Sequence, residues 1–235
     1  MTQLIDIIST TGKTAVEILN EFTQSQIRNW PLAAANFKGL EKVQEITYQY
    51  DGFLIRTQFN PERMRSSVAE VDKKSIAARQ CFLCNKNRPK EQGAIAFGDD
   101  FLILVNPFPI FKNHFTITCN RHIDQRFIGN VRTLLELAAA MEGFTVFYNG
   151  PECGASAPDH LHFQAGESSF MPVTNDFKQL RHSERLLFSG KRTQVWAFDK
   201  YLRKMISIET NSLDEGLKII DLYYQLFQAK KKKKV

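Results

Sequence analysis

Apolar residues recur in this chain with two periods, one helical and one alternating, and the switches between them outline its elements. Over 14–28, Val16, Ile18, Leu19, Phe22 and Ile27 approximate one helical stripe, Thr14-Ala15-Val16-Glu17 has capping-box spacing, and Pro31 ends the segment. Ile46–Tyr50 and Phe53–Phe59 flank Asp51-Gly52 and predict a hairpin. Asn60–Ser67 closes that hairpin, and a polar linker follows over 68–79. Phe101–Val105 and His114–Thr118 read as strands, separated by the turn Asn106-Pro107-Phe108-Pro109. Residues 129–142 predict a helix with Val131, Leu134, Leu135, Ala138 and Met141 on one side. A strand over 143–149, a loop of small residues and a central strand over 160–165 come next. Residues 167–192 read as polar and irregular; Gln194–Phe198 and Met205–Ile208 predict an antiparallel pair. A last helix starts near Leu213, behind Ser212-Leu213-Asp214-Glu215. Strands gathered around one central helix predict an α+β fold with a mostly antiparallel sheet and flanking helices. There is no internal repeat and no clear linker between independent domains.

Composition narrows the class. A chain of 235 residues with 43% hydrophobic and 24% charged residues has the make-up of a soluble globular protein with a sizeable core. Nineteen Phe point to an aromatic-rich core or pocket. Five of the six net positive charges sit in Lys230–Lys234, so the body of the chain is nearly neutral and carries no nucleic-acid signature. No apolar run reaches the roughly 18 residues of a membrane span, and the start lacks a basic signal-peptide flank, so a cytoplasmic protein without a membrane partner is expected. The four Cys do not form a disulfide scaffold, and two of them stand at C-x-x-C spacing.

The candidate chemistry converges on Asp159-His160-Leu161-His162-Phe163-Gln164. On a strand, His160, His162 and Gln164 share one face, and Leu161 and Phe163 share the buried one. The plain alternative is a surface strand with incidental histidines. Cys81 and Cys84 offer the soft half of a tetrahedral zinc site, with His122 and His160, each at a strand border, as candidates for the other half. A redox C-x-x-C is the competing reading, but Asn85, Asn87 and Pro89 favour a knuckle over the helix start that redox motifs prefer. Cys119 and Cys153 read as packed thiols. His162 is then left for chemistry as a neutral imidazole, nucleophile or general base, and Gln164 can donate to a phosphoryl oxygen but cannot titrate. Main-chain N–H groups of the loop 150–157 can approach an anion. Arg63 and Arg65 either face solvent or meet a phosphate.

These residues resemble the nucleotidyltransferase branch of the histidine-triad superfamily, with galactose-1-phosphate uridylyltransferase, diadenosine tetraphosphate phosphorylase and GDP-hexose phosphorylases. That branch carries His-x-His-x-Gln, as His160-Leu161-His162-Phe163-Gln164 does, and the wording of the motif looks closest to the GDP-hexose phosphorylases. Cys81, Cys84, His122 and His160 look like the structural zinc set of the uridylyltransferases, and Asn149 stands at a similar distance before the motif. Asn60–Arg65 is similar to their arginine-bearing phosphate segment. Asp159 stands where the uridylyltransferases carry Pro.

The resemblance implies a histidine-triad-like domain over 46–229, preceded by a helical extension over 1–45 and followed by a disordered lysine-rich tail, 230–235. It implies a transferase or phosphorylase acting on a nucleotide sugar or dinucleoside polyphosphate by a ping-pong route. In that route His162 becomes a nucleotidyl-histidine, and Gln164 and main-chain groups near Ser156 stabilise the phosphoryl charge. Arg63, Arg65, Asn149 and Ser156 join Gln164 in substrate binding. The implied partners are a nucleotide, a phosphate-bearing acceptor and, from the uridylyltransferase relatives, a second copy in a homodimer. The rival functions are a dinucleoside polyphosphate hydrolase and a zinc-stapled nucleotide-binding module without catalysis.

Overall fold

The computed structural model describes residues 2–51, 53–62, 73–180, 184–199 and 201–232. The chain divides into one unit of residues 1–46 and 58–170 and another of residues 47–57 and 171–235.

The first unit opens with helices α1 (Leu4–Thr11), α2 (Ala15–Asn29) and α3 (Pro31–Lys38). At the start of α2 the Thr14 hydroxyl accepts from the Glu17 N–H while the Glu17 carboxylate accepts from the Thr14 N–H, the reciprocal box that the spacing predicts. Pro31 does more than end α2. It opens α3 at a first-turn position, where its missing N–H costs nothing. Strands β1 (Gln44–Tyr50) and β2 (Phe53–Phe59) pair with each other, with residues 47–57 of this hairpin counted in the second unit, and α4 (Lys73–Ala78) of the first unit precedes the Cys81 knuckle.

The remaining elements of this unit are β3 (Ile95–Phe97), β4 (Phe101–Val105), β5 (Phe115–Cys119), α5 (Val131–Ala140), β6 (Phe144–Phe147) and β7 (His162–Glu167). The strands form an antiparallel sheet in the order β3-β4-β5-β7-β6. Period-two alternation gives this sheet two different faces. Phe101, Ile103, Val105, Phe115, Ile117, Cys119, Phe163 and Ala165 point to one side, where they form a single core with Leu4, Leu19, Trp30, Phe37 and Leu137 from the helices. Each large side chain buried there stabilises the fold by roughly 1.5–3 kcal/mol. The opposite face is apolar on β4, where Leu102 and Leu104 cluster with Ala96, and polar on β5 and β7. Register sets Thr116 beside Gln164 and Thr118 beside His162. The core therefore fixes which way the candidate side chains His162 and Gln164 point.

The second unit contains α6 (Pro172–Leu180), β8 (Arg185–Ser189), β9 (Thr193–Phe198), β10 (Met205–Thr210) and α7 (Leu213–Lys232). Its strands form the antiparallel order β10-β9-β8. Residues 167–192, expected to be irregular, instead supply the end of β7, the whole of α6 and the edge strand β8. Pro172 opens α6 at a helix start, where its ring is tolerated, and Leu186-Leu187-Phe188 gives β8 a β-forming run that the surrounding polar residues mask. Within this unit Asp176 is buried and accepts from the Tyr201 hydroxyl at 2.8 Å and the Leu54 N–H at 3.4 Å. Ser212 caps α7 by accepting from the Glu215 N–H. No helix among the described residues is long and apolar enough to cross a membrane.

Candidate functional site

Four side chains meet where the Cys81 knuckle, the loop after β5 and the approach to β7 come together. One ligand atom from each of Cys81, Cys84, His122 and His160 lies within 4.8 Å of all the others. Cys81 Sγ is 3.2 Å and Cys84 Sγ 3.6 Å from His160 Nδ1, and Cys84 Sγ is 3.3 Å from His122 Nδ1. The cluster can hold a metal. His160 precedes the β7 ladder rather than lying in it, is fully buried, and uses its other nitrogen to donate to the Cys119 carbonyl at 2.8 Å. A carbonyl cannot donate, so Nε2 carries a proton, and Nδ1 faces the sulfurs: its own proton goes to the Cys81 thiolate, and a metal that displaced this proton would meet the Nδ1 lone pair. Burial opposes ionisation of Cys81, but hydrogen bonds from His160 and from the Leu83 and Cys84 backbone outweigh it and bring the thiol down to about 6. Burial and the neighbouring Cys81 sulfur push Cys84 up. The pair is thus poised with one thiolate ready to coordinate.

Asp159 stands behind this cluster. Its carboxylate accepts from Arg79 at 3.2 Å and faces His122 Nε2 at 3.7 Å. Arg79 also donates to the Ser156 carbonyl at 3.2 Å and lies 4.9 Å from the Phe82 ring centroid. One guanidinium therefore ties the small-residue loop, the Asp159 carboxylate and the knuckle together.

His162 opens β7 and is 3% exposed. Its Nδ1–H donates to the His160 carbonyl at 2.8 Å, which leaves Nε2 unprotonated. Burial holds the imidazole below the usual histidine range; the hydrogen bond to the His160 carbonyl opposes this and the charge on His160 reinforces it. A neutral ring with a fixed tautomer and a free Nε2 lone pair is the form a nucleophile needs.

Two residues further on, Gln164 Oε1 accepts from His114 Nε2 at 2.8 Å. The donor is set by the Ile110 N–H, which occupies His114 Nδ1 at 3.3 Å. Gln164 therefore spends its oxygen on His114, and its N–H groups are the part of the amide that could meet a ligand. His114 is itself 1% exposed, with the Phe111 ring centroid 4.7 Å away.

Gln125, 2% exposed, accepts from the His162 N–H at 2.8 Å and donates to the carbonyls of His162 at 3.0 Å and Asn149 at 2.9 Å. Asn149 is thereby fixed beside His162 through its main chain. Ser156 is exposed and tethered through its carbonyl to Arg79. Arg63 and Arg65 lie outside the described residues. Cys119 is a buried thiol, as expected, but Cys153 is exposed on the loop, where small neighbours give it nothing to pack under.

Sequence reading did not single out His114, Gln125 or Arg79. His114 left a signal, since it is one of only five His and shares the strand parity of Thr116 and Thr118. Gln125 left none, because a lone Gln in a loop has no period.

A family model described as "Domain of unknown function (DUF4922)" matches residues 22–167, a span that contains the whole cluster and the His162 motif. The chain belongs to this family. No curated protein matches this sequence. Among solved structures, this member of DUF4922 is similar to the yeast Ap4A phosphorylase Apa2 in complex with AMP, at 15% identity and a TM-score of 0.52 over 92% of this chain and 71% of the phosphorylase chain. A second structure of yeast Apa2 matches at 14% identity and a TM-score of 0.38, over 71% of this chain and 59% of that one. The likeness to the AMP complex is one of fold: an α+β, histidine-triad-like arrangement with a mostly antiparallel sheet.

Proposed function

We propose that this protein is a nucleotidyltransferase that works through a covalent nucleotidyl-histidine, with a nucleotide sugar or dinucleoside polyphosphate as donor and a phosphate-bearing molecule as acceptor. The observation that carries this reading is the bond from His162 Nδ1–H to the His160 carbonyl, 2.8 Å, which frees Nε2 beside a Gln164 whose N–H groups are unspent.

In the first half-reaction the Nε2 lone pair attacks the α-phosphorus. The N–P bond forms as the P–O bond to the leaving phosphate breaks, and that oxygen departs with the electron pair. In the second half an acceptor phosphate oxygen attacks the same phosphorus, and His162 leaves as the neutral imidazole. Gln164 and the main chain around Ser156 stabilise charge on the equatorial oxygens. Gln164 cannot deliver a proton, which suits an acceptor and a leaving group that are already anionic phosphates. Arg63 and Arg65 are assigned to phosphate binding on sequence grounds alone. Yeast Apa2, the fold neighbour, is a phosphorylase seen with AMP, which supports a nucleotide as the ligand class.

Cys81, Cys84, His122 and His160 fit a structural zinc ion. A tetrahedral zinc with its usual bond lengths sets sulfur and nitrogen ligands about 3.5 Å apart, and the three measured sulfur–nitrogen distances, 3.2, 3.3 and 3.6 Å, bracket that value. When bound, the metal staples the knuckle to the approach of β7. The transfer steps themselves belong to His162, Gln164 and the loop.

Product analysis with diadenosine tetraphosphate and with GDP- and UDP-hexoses, with and without inorganic phosphate, tests the reaction class. Phosphate-dependent release of a nucleoside diphosphate is expected. Release of nucleoside monophosphate regardless of phosphate would mark a hydrolase instead.

A further inference from the structure

Strand β6 stops pairing with β7 at Phe147, opposite Gln164, two residues before Asn149. In an antiparallel ladder the N–H and C=O of one residue point to the same neighbour. Past Phe147 the chain leaves for the loop 150–158, so the N–H and C=O of His162 and the C=O of Asn149 lose the strand partner that would satisfy them. All three are taken by the carboxamide of Gln125: its oxygen accepts from the His162 N–H, and its nitrogen donates to both carbonyls. The backbone around Gln125 is held in turn. The Tyr148 hydroxyl donates to the Gln125 carbonyl at 2.8 Å, and the Leu161 N–H donates to the Ile123 carbonyl at 2.7 Å.

We infer that Gln125 is a positioning residue for His162, a side-chain stand-in for the missing stretch of strand that locks the nucleophile's main chain to the start of the phosphate-facing loop. This rests on the transferase reading of His162 given above. The chemistry of the position is restrictive. Three main-chain groups require one acceptor and two donors from a single planar group, which a carboxamide supplies and a carboxylate, a hydroxyl or an ammonium does not. Asn carries the same group on a stem one carbon shorter. Because Gln125 grips Asn149 and His162 at once, it sets the spacing between the two ends of the loop carrying Ser156. A nucleophile displaced by even a fraction of an ångström from its line of attack loses rate without losing its ligand.

The test uses the full chain as wild type, Gln125→Glu and Gln125→Met, with metal content measured for each. Gln125→Glu keeps the acceptor for the His162 N–H and removes both donors; Gln125→Met keeps the length and removes everything. Amide hydrogen exchange at His162 is read by NMR, and the rate of adduct formation is read with diadenosine tetraphosphate and GDP-hexose as donors. The expected result is metal content equal to wild type in both variants and, in Gln125→Met, His162 exchange faster by about tenfold. Adduct formation slows by about tenfold to a hundredfold in both variants, while the half-saturating donor concentration moves by less than about threefold. Unchanged exchange and unchanged rates in both variants would overturn the inference. So would loss of metal with accelerated exchange throughout β4 and β5, which would make Gln125 a general structural residue. A wild type that forms no adduct with either donor overturns the transferase reading, and the exchange at His162 then decides the hold of Gln125 by itself.

Discussion

His114 donates from Nε2 to Gln164 Oε1 across 2.8 Å, and the Ile110 N–H fixes the tautomer that makes this the only direction available. The amide of Gln164 is therefore oriented before any ligand arrives. Replacing His114 by Phe keeps a ring against Phe111 and deletes the donor. Transfer slows by about tenfold with metal retained. In the double variant with Gln164→Ala the two losses do not add, because the first already removes what the second would disturb. Steady-state kinetics on the two single variants and the double one check this.

Asp159 and Cys81 affect the metal to different degrees. Asp159→Asn leaves all four ligands but removes the carboxylate behind His122 and the partner of Arg79, so metal affinity falls by about tenfold to a hundredfold. Cys81→Ala removes a ligand and leaves a substoichiometric, less stable protein. Competition with a chromophoric chelator and thermal melts separate the two grades; equal affinity in wild type and Asp159→Asn would remove Asp159 from the site.

Gly166 faces the Phe111 ring so closely that an added Cβ would overlap it. Phe111 in turn packs on Phe170, with centroids 4.0 Å apart, and on His114. Gly166→Ala pushes Phe111 off both, lowering stability by about 1–3 kcal/mol and disordering the His114–Gln164 pair. Denaturant melts, with the His114 ring signals as the second readout, test it.

In the second unit, burial and the hydrogen bond to Asp176 push the Tyr201 phenol up to about 12. A group raised in the folded state contributes its stability in full below its unfolded value, near 10 for a phenol. That contribution disappears as the pH climbs through 12. Phenolate absorbance is expected to show a late step above the usual phenol range, and Tyr201→Phe removes both that step and this part of the pH dependence.

Much of the site was legible because its residues carry strong local patterns. The C-x-x-C spacing, the alternation of His160, His162 and Gln164 with Leu161 and Phe163, and the reciprocal Thr14–Glu17 cap are each written within six residues. The sheet around them followed from the runs at 101–105 and 114–118, displaced by one residue in the second case. What stayed hidden depends on residues distant in sequence. Gln125 matters because β6 ends early, His114 because β5 sets it on the face that carries Gln164, and Arg79 because three separate segments converge on one guanidinium. The short strand β3 carries too few residues to show a period, and β8 and α6 were masked by polar neighbours.

The most direct test of the central claim is intact-protein mass spectrometry after mixing the zinc-loaded protein with diadenosine tetraphosphate and with GDP- and UDP-hexoses. The account predicts an acid-labile mass gain of one nucleoside monophosphate, present in wild type and absent in His162→Ala, and the size of the gain identifies the base. The same adduct on His162→Ala, or no adduct with any of these donors in metal-replete wild type, would contradict it.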